Sequence, residues 1–281
     1  MRVGLSIDPP LGSIPALLTQ EGVDVYQTVL RDPGRFGNYG VPEPADRAAL
    51  VEGLAGRRTW GVAHGSLLVN LASPEGRIRN SSVSSLLADL KVAAEVGLDA
   101  VCFHVGYAKG HPSAEEALVL ATRKLGELIA KMPAGPRLLL ENSCEGSELG
   151  QTIPELARLI RDVGAPAEQF GLLIDTCHLH AAGFDLSGDE GGARLADALA
   201  AEGVLERVMA FHLNDCQLPC GAHRDHRHGR GLGGAASRLR RAARGAGAGP
   251  GRRARRAHLP PRARRGQSLR SPPRSPPRRS S

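Results

Sequence analysis

Short apolar runs alternate with longer amphipathic segments along the first 212 residues of this chain. Runs such as Leu138–Leu140 show no polar alternation, which is typical of strands buried on both faces. The amphipathic segments predict helices, and the clearest is Ser81–Val96, with leucines at helical spacing. We count seven such units, with strands predicted at residues 2–8, 23–30, 60–63, 101–103, 138–140, 171–174 and 208–211.

Seven consecutive β/α units predict an α/β fold of the (β/α)8 TIM-barrel type, with a parallel sheet inside and helices outside. No segment after residue 212 has the apolar pattern of an eighth strand. We therefore expect a barrel that lacks its last strand.

The C-terminal segment has a different composition. Residues 229 to 281 contain 16 arginines and no Asp, Glu, Lys, Val, Ile or Phe, so the segment cannot bury a core and is expected to be disordered. We divide the chain into a barrel domain, residues 1–221, and an Arg/Pro/Gly-rich tail, residues 222–281. The tail is either a basic arm that binds phosphates or an out-of-frame translation of a GC-rich gene; the missing eighth strand favours the frameshift.

The net charge of +7 conceals this division. Residues 1 to 228 hold the other 20 of the 36 basic residues and all 29 acidic ones, a formal charge of −9. The five cysteines form no C-x-x-C pair and are odd in number, which favours a reduced, cytoplasmic setting. The N-terminus does not resemble a signal peptide, and no apolar run approaches the roughly 20 residues that cross a membrane.

Residues of the types that bind metals follow the predicted strands. Such strand ends meet at one face of a barrel. A single histidine there is more often an ordinary polar residue, and an aspartate is often a helix N-cap. Six candidates on separate strands, or on the loop in which we expect His178, favour a metal site with His nitrogen and carboxylate oxygen ligands. These six are His64, His104, Glu141, Asp175, His178 and His212.

Three motifs at this spacing resemble the endonuclease IV family of zinc-dependent apurinic/apyrimidinic endonucleases. They are Leu140-Glu141-Asn142 with Gly146–Gly150, Ile174–His178 with Ala181–Leu186, and Phe211–Asp215. The resemblance runs from about Gly4 to Asp215. It implies a DNA-repair hydrolase of the deoxyribonuclease IV (phage-T4-induced) type, acting as a monomer. Its substrate would be double-stranded DNA, cleaved at the phosphodiester bond 5′ to an abasic site.

The resemblance also implies a cluster of three zinc ions. His64, His104 and Glu141 would hold the first, and Glu141 would bridge to a second that Asp175 and His212 also bind. As the catalytic residue, Glu141 would orient the attacking water. His178 would bind the third zinc, together with Asp225.

Two departures from the family pattern predict weak zinc binding and impaired cleavage. Arg227 stands where the family has the histidine of its Asp-x-His motif, with His226 and His228 on either side. The family also ends its eighth strand with a glutamate ligand, whereas this sequence has no glutamate after Glu206.

Loop residues after the second and third strands are expected to contact DNA. In the region of Arg35 the family offers an arginine to the DNA backbone. Where the family usually has an aromatic residue after His-x-Ser, this chain has Leu67 and Leu68. We therefore expect all three side chains to bind substrate.

Two alternatives stay open. A sugar isomerase or epimerase of the same barrel superfamily would use similar ligands, but those sites usually contain a lysine, and no lysine ends a predicted strand here. Alternatively, the chain is an inactive, truncated product whose basic tail binds nucleic acid without sequence preference.

Overall fold

Seven parallel strands form the central sheet of the protein, in a computed structural model that describes residues 2–8, 10–37, 40–216 and 223–224. Each strand pairs with its neighbour in the chain, from β1 to β7. The seven predicted strands are confirmed, and no eighth barrel strand lies among the described residues. The strands are β1 Leu5–Ser6, β2 Val25–Val29, β3 Trp60–His64, β4 Ala100–Phe103, β5 Arg137–Glu141, β6 Phe170–Asp175 and β7 Val208–His212.

Helices connect the strands and cover the outside of the sheet. Their ends follow the expected chemistry: Ser113 Oγ accepts a hydrogen bond from the backbone N–H of Glu116, as its capping sequence predicts. Gly97 ends helix Gly76–Val96 in the left-handed conformation, at φ 74°. The helices are α1 Ile14–Glu21, α2 Pro44–Gly53, α3 Gly76–Val96, α4 Ala114–Ile129, α5 Ile153–Val163, α6 Thr176–Ala181 and α7 Gly191–Ala201.

The sheet is curled into an incomplete barrel. The side chains of Gln27 on β2 and His212 on β7 are hydrogen bonded at 2.6 Å. In a flat sheet, five strand spacings would separate them by roughly 24 Å. The curvature therefore brings the ends of distant strands together and confirms the TIM-barrel type of fold.

Two apolar layers stabilise this arrangement. The larger layer lies between the sheet and the helices, where residues such as Leu90, Leu125 and Phe170 are fully buried. The smaller layer fills the interior of the barrel and includes Cys102 and Leu139. Side chains that fill the interior make it a packed core, which supports the polar groups at the strand ends.

Two helix predictions are corrected. His178 lies in the short helix α6 rather than in a loop; six residues are too few to show helical periodicity in the sequence. Helix α3 begins at Gly76, five residues before the predicted Ser81, because its first turn is polar and largely exposed.

The C-terminal boundary stays a prediction. Strands β8, Asp215–Cys216, and β9, His223–Arg224, pair antiparallel in a small sheet apart from the barrel. The rest of the expected tail lies outside the described residues. Within the described ranges, none of the helices is long and apolar enough to cross a membrane.

Candidate metal centre

The six predicted ligands lie at the carboxyl ends of the strands. Parallel strands place their last residues at one edge of the sheet, so the side chains converge there. Three of the six are buried and three are partly exposed, as in a site that is open at its mouth. They are the last residues of four strands, His64, Glu141, Asp175 and His212, together with His104 directly after β4 and His178 in α6.

Glu141 is at the centre of the group. Its Oε1 atom lies 2.8 Å from His212 Nδ1, 3.7 Å from His178 Nδ1 and 3.9 Å from His104 Nε2. Its Oε2 atom lies 3.2 Å from His64 Nε2. One buried carboxylate therefore faces four imidazole rings, each from a different strand end or helix.

Hydrogen-bond partners outside the centre fix two of these rings. His64 Nδ1 lies 2.8 Å from the backbone carbonyl of Gly65, which can only accept, so this nitrogen carries the proton. His104 Nδ1 lies 3.1 Å from Ser143 Oγ. In both residues the other nitrogen, Nε2, faces Glu141, where an unprotonated nitrogen can bind a metal.

The other two rings are fixed in the same way. His178 Nδ1 donates to the backbone carbonyl of Asn142 at 2.9 Å. His212 uses the opposite nitrogen, because its Nε2 donates to Gln27 Oε1 and its Nδ1 faces Glu141. All four histidines thus have one nitrogen bound to a fixed group, the usual support of metal-binding histidines.

The two carboxylate oxygens of Asp175 have different roles: one caps a helix, and the other is a candidate metal ligand. Its Oδ1 atom accepts from the backbone N–H of His178 at 2.9 Å and caps helix α6. Its Oδ2 atom accepts from Asn214 Nδ2 at 2.6 Å and lies 3.7 Å from His212 Nδ1. The helix-cap role and the ligand role are therefore compatible, since they use different oxygens.

Asn142 fastens the carboxyl ends of β5 and β6 together. Its side-chain oxygen accepts from the backbone N–H of Asp175 at 2.7 Å, and its side-chain N–H donates to the Asp175 carbonyl at 3.1 Å. This two-point contact sets the spacing between Glu141 and Asp175. Sequence reasoning gave Asn142 no role beyond the motif.

The protonation states of Glu141 and His104 suit metal binding. Burial alone would raise the pKa of Glu141, but the adjacent histidines, His212 and His104 foremost, hold it well below its usual range. Burial lowers the pKa of His104 to about 4. Burial also acts to lower the pKa of His64 and His212, but their contacts with Glu141 outweigh it and raise both values. Near neutral pH, Glu141 is therefore ionised and His104 neutral.

Possible ligand atoms fall into three overlapping groups, each within 4.8 Å. Glu141, Asp175 and His212 form the group expected for the second zinc. The other two groups differ from the expected sets, because Glu141 is joined by His104 with His178 and by His64 with Cys102. Burial raises the pKa of the Cys102 thiol well above its usual range, so the thiol is neutral.

Comparisons with known proteins identify the family. The model of the xylose isomerase-like TIM barrel family matches residues 16–249. "Probable endonuclease 4" of Aquifex aeolicus is 34% identical over 210 residues, which cover 74% of this chain and 73% of that protein. The chain belongs to the endonuclease IV family. A second relative, "Probable endonuclease 4" of Moorella thermoacetica, is 32% identical over 243 residues, covering 83% of this chain and 84% of the relative.

Solved structures agree with the endonuclease IV assignment. Endonuclease IV from Thermus thermophilus is 29% identical, has a TM-score of 0.68, and the match covers 85% of this chain and 87% of that one. A D-tagatose 3-epimerase-like protein has a TM-score of 0.66 over 86% of this chain and 87% of its own, but at 19% identity it shows the shared fold alone. None of the seven barrel strands contains a lysine, contrary to the isomerase alternative.

The candidate DNA-contacting residues of this chain lie on the two loops that follow β2 and β3. Leu67 and Leu68 follow β3, and their side chains are 56% and 41% exposed. Arg35 follows β2 and is exposed, with its Nε atom 3.6 Å from Asp32 Oδ2. The carbonyl of Pro33 accepts from Leu67 N at 2.9 Å, so the two loops are joined.

A buried ion pair lies below these loops. Arg31 Nε donates to Asp89 Oδ1 at 2.5 Å, and Arg31 Nη1 donates to the carbonyl of Gly37 at 2.8 Å. Both charged groups are buried, and burial raises the pKa of Asp89 to about 6 although Arg31 opposes this. The pair fastens the Arg35 loop to helix α3.

The structure describes the predicted site residues before residue 216 but not those after residue 224. The six predicted ligands that precede residue 216 are brought together. Asp225, with the neighbouring His226, Arg227 and His228, lies outside the described residues. The sequence analysis assigned no role to Gln27. The feature that could have indicated one is its polar amide between Val25 and Val29, which share its face of β2.

Proposed function

We propose that this chain is a zinc-dependent DNA-repair endonuclease that hydrolyses the phosphodiester bond 5′ to an abasic site in double-stranded DNA. Membership of the endonuclease IV family supports the reaction. The observation that carries the proposal is Glu141, a buried carboxylate surrounded by four histidines, each of which has one ring nitrogen fixed by another group.

The geometry around Glu141 fits a cation. Glu141 Oε2 is buried and accepts no hydrogen bond among the described residues, which costs about 1–3 kcal/mol for a buried acceptor. His64 Nε2 faces it at 3.2 Å, but the His64 proton is directed to Gly65 through Nδ1. When His64 is neutral, these two electron-rich atoms repel each other, and a metal cation bound between them would remove the repulsion. Imidazole nitrogen and carboxylate oxygen are the donors that zinc prefers.

We assign the residues as follows. Glu141 would contribute to two zinc sites, one held also by His64 and His104 and the other by Asp175 and His212, while His178 and Asp225 would hold a third zinc ion. When bound, zinc lowers the pKa of a water ligand and neutralises charge on the phosphate. Ionised Glu141 accepts a hydrogen bond from the attacking water and orients it.

The loop residues position the DNA. The guanidinium of Arg35 binds a backbone phosphate, and the exposed Leu67 and Leu68 side chains pack against bases where the abasic nucleotide leaves the stack. Extrusion costs least where the base is already missing, which favours the abasic site as substrate. The acidic barrel domain would tolerate DNA because each bound zinc ion adds a local charge of +2 at the site.

We propose that cleavage by this chain is slow. The barrel domain of residues 1–221 is followed by a tail, residues 222–281, with no glutamate to complete the second zinc site. The third site keeps His178 and Asp225, with Arg227 at the position of the expected histidine. Zinc with an extra open position has altered geometry, and positioning supplies much of the rate of such reactions. We further propose a cytoplasmic monomer.

The test is a nicking assay on a labelled duplex that contains one tetrahydrofuran abasic analogue. This analogue cannot undergo β-elimination, so strand cleavage reports hydrolysis. We expect slow, EDTA-sensitive cleavage that leaves a 3′-hydroxyl, and none with Glu141→Gln. The exposed Glu52 on α2 offers a matched control, and Glu52→Gln should cleave as the unaltered chain does. EDTA-resistant cleavage, or equal rates for both variants, would contradict the proposal.

A further inference from the structure

We propose that Gln27 is a positioning residue for the metal centre. Its amide oxygen accepts a hydrogen bond from His212 Nε2, so that Nδ1 is the ring nitrogen that faces Glu141 and Asp175, where a metal would bind. This inference rests on the proposed function, because it assigns a supporting residue to the same centre. Gln27 belongs to β2, a barrel strand from which we predicted no ligand.

The contacts of His212 determine which nitrogen can bind metal. His212 Nε2 lies 2.6 Å from Gln27 Oε1, and an amide oxygen can only accept, so Nε2 is the donor. On the opposite side of the ring, Nδ1 lies 2.8 Å from Glu141 Oε1 and 3.7 Å from Asp175 Oδ2. Without metal, Nδ1 shares a proton with Glu141 Oε1. A bound metal would take the place of that proton, between the ring and the two carboxylates that form a possible metal group with it.

His212 differs from the other three histidines in the source of this support. The hydrogen-bond partners of His64, His104 and His178 are Gly65 O, Ser143 Oγ and Asn142 O, which lie in the segments that follow the strand ends. His212 instead uses a side chain from across the barrel. Its tautomer therefore depends on the curvature that brings β2 beside β7.

A second donor selects the orientation of the Gln27 amide. The thiol of Cys102 on β4 also donates to Gln27 Oε1, at 3.7 Å. A rotated amide would present its N–H group to both donors. That orientation would also favour the His212 tautomer that is protonated at Nδ1. The proton would then occupy the position where a metal would bind. The neutral Cys102 thiol thus has a physical role without being a ligand.

Two variants and a control separate positioning from folding. Gln27→Met removes the acceptor at similar volume, and Gln27→Glu keeps an acceptor and strengthens it. Thr28→Val is the matched control, because Thr28 is buried on the opposite face of the same strand. The zinc affinity of each chain is measured by competition with a chromogenic chelator. We expect Gln27→Met to bind zinc about 10- to 100-fold more weakly, the usual effect of removing such a partner. Gln27→Glu and Thr28→Val should retain the affinity.

A second readout is spectroscopic. Long-range proton–nitrogen NMR spectra of labelled, zinc-loaded protein show which nitrogen of His212 carries a proton and which binds the metal. We expect a protonated Nε2 and a metal-bound Nδ1 in the unaltered chain and in Gln27→Glu. Metal bound at Nε2 in the unaltered chain would overturn the inference, even if Gln27→Met failed to fold.

The inference and the proposed function fail in different ways. If His212→Ala abolishes zinc binding at this site while Gln27→Met leaves the zinc affinity and the tautomer unchanged, the role of Gln27 is wrong and the centre stands. If His212→Ala and Glu141→Gln both bind zinc as the unaltered chain does, the proposed centre itself is wrong and Gln27 has nothing to position.

Discussion

Glu141 Oε1 and His212 Nδ1 lie 2.8 Å apart although 71 positions separate the two residues in the chain. The contact depends on the parallel order of β5, β6 and β7, in which Asp175 is the register partner of His212. A shift of one residue would turn these side chains to the other face of the sheet. The candidate centre is therefore a property of the barrel register.

The buried pair of Arg31 and Asp89 should be important for stability. Asp89→Ala leaves the Arg31 charge buried and unpaired, which should lower the free energy of unfolding by about 3–5 kcal/mol. Urea denaturation measures this change. The double variant Arg31→Met with Asp89→Leu removes both charges and should recover most of the loss. If the single and double variants were equally unstable, the unpaired charge would not be the cause.

His104 should make the zinc-free protein less stable in acid. The pKa of His104 is lowered to about 4, so the unfolded chain binds its proton first as the pH falls below the ordinary value of about 6.5. The contribution of His104 to stability is therefore present above about pH 6.5 and is lost as the pH falls toward 4, by about 2 kcal/mol between pH 7 and pH 5.

The measurement compares urea denaturation in EDTA at these two pH values for the unaltered chain and for His104→Gln. The variant should lose less stability between them. His64 and His212, with raised pKa values, contribute in the opposite direction in both proteins, so the difference isolates His104. An identical pH dependence in the two proteins would contradict the prediction.

Leu67 and Leu68 should affect cleavage and leave stability unchanged. Both side chains are largely exposed, so Leu67→Ser with Leu68→Ser removes little buried area. We expect an unchanged melting temperature and a raised KM for the abasic duplex. Val119 on α4 is similarly exposed. Val119→Ser is therefore the control, because it also replaces an exposed apolar side chain with a polar one. A normal KM in the double variant would exclude contact with DNA.

The arginine-rich tail should bind undamaged DNA in a salt-dependent way. Its 16 arginines have no acidic neighbours between residues 229 and 281, so each phosphate contact releases counterions. Binding to a duplex without an abasic site should weaken steeply as salt rises from low to physiological concentration. A chain that ends at residue 228 should lose this binding. Equal salt dependence in the two chains would show that the tail does not contact DNA.

The buried strands were predictable because their composition is unambiguous. The run Leu138–Leu140 is apolar at every position, and the structure buries all three residues in β5. The same argument placed Glu141 at a strand end. Fold and family could thus be predicted from strand composition and motif spacing.

The supporting contacts of the centre could not be predicted. Gln27 and His212 lie 185 positions apart, and only the curvature of the sheet brings them together. Helix α6 was missed because its start depends on the Asp175 cap and its six residues show no periodicity. Contacts of this kind depend on tertiary geometry, which a single sequence does not display.

Zinc content tests the central claim most directly. The unaltered chain, Glu141→Gln and Glu52→Gln are dialysed against dilute zinc and analysed for metal per chain. We predict that the unaltered chain and Glu52→Gln bind equal amounts, fewer than three zinc ions per chain, and that Glu141→Gln loses at least one of them. If Glu141→Gln retained the full zinc content of the unaltered chain, the four histidines around Glu141 would not form a metal centre, contrary to this account.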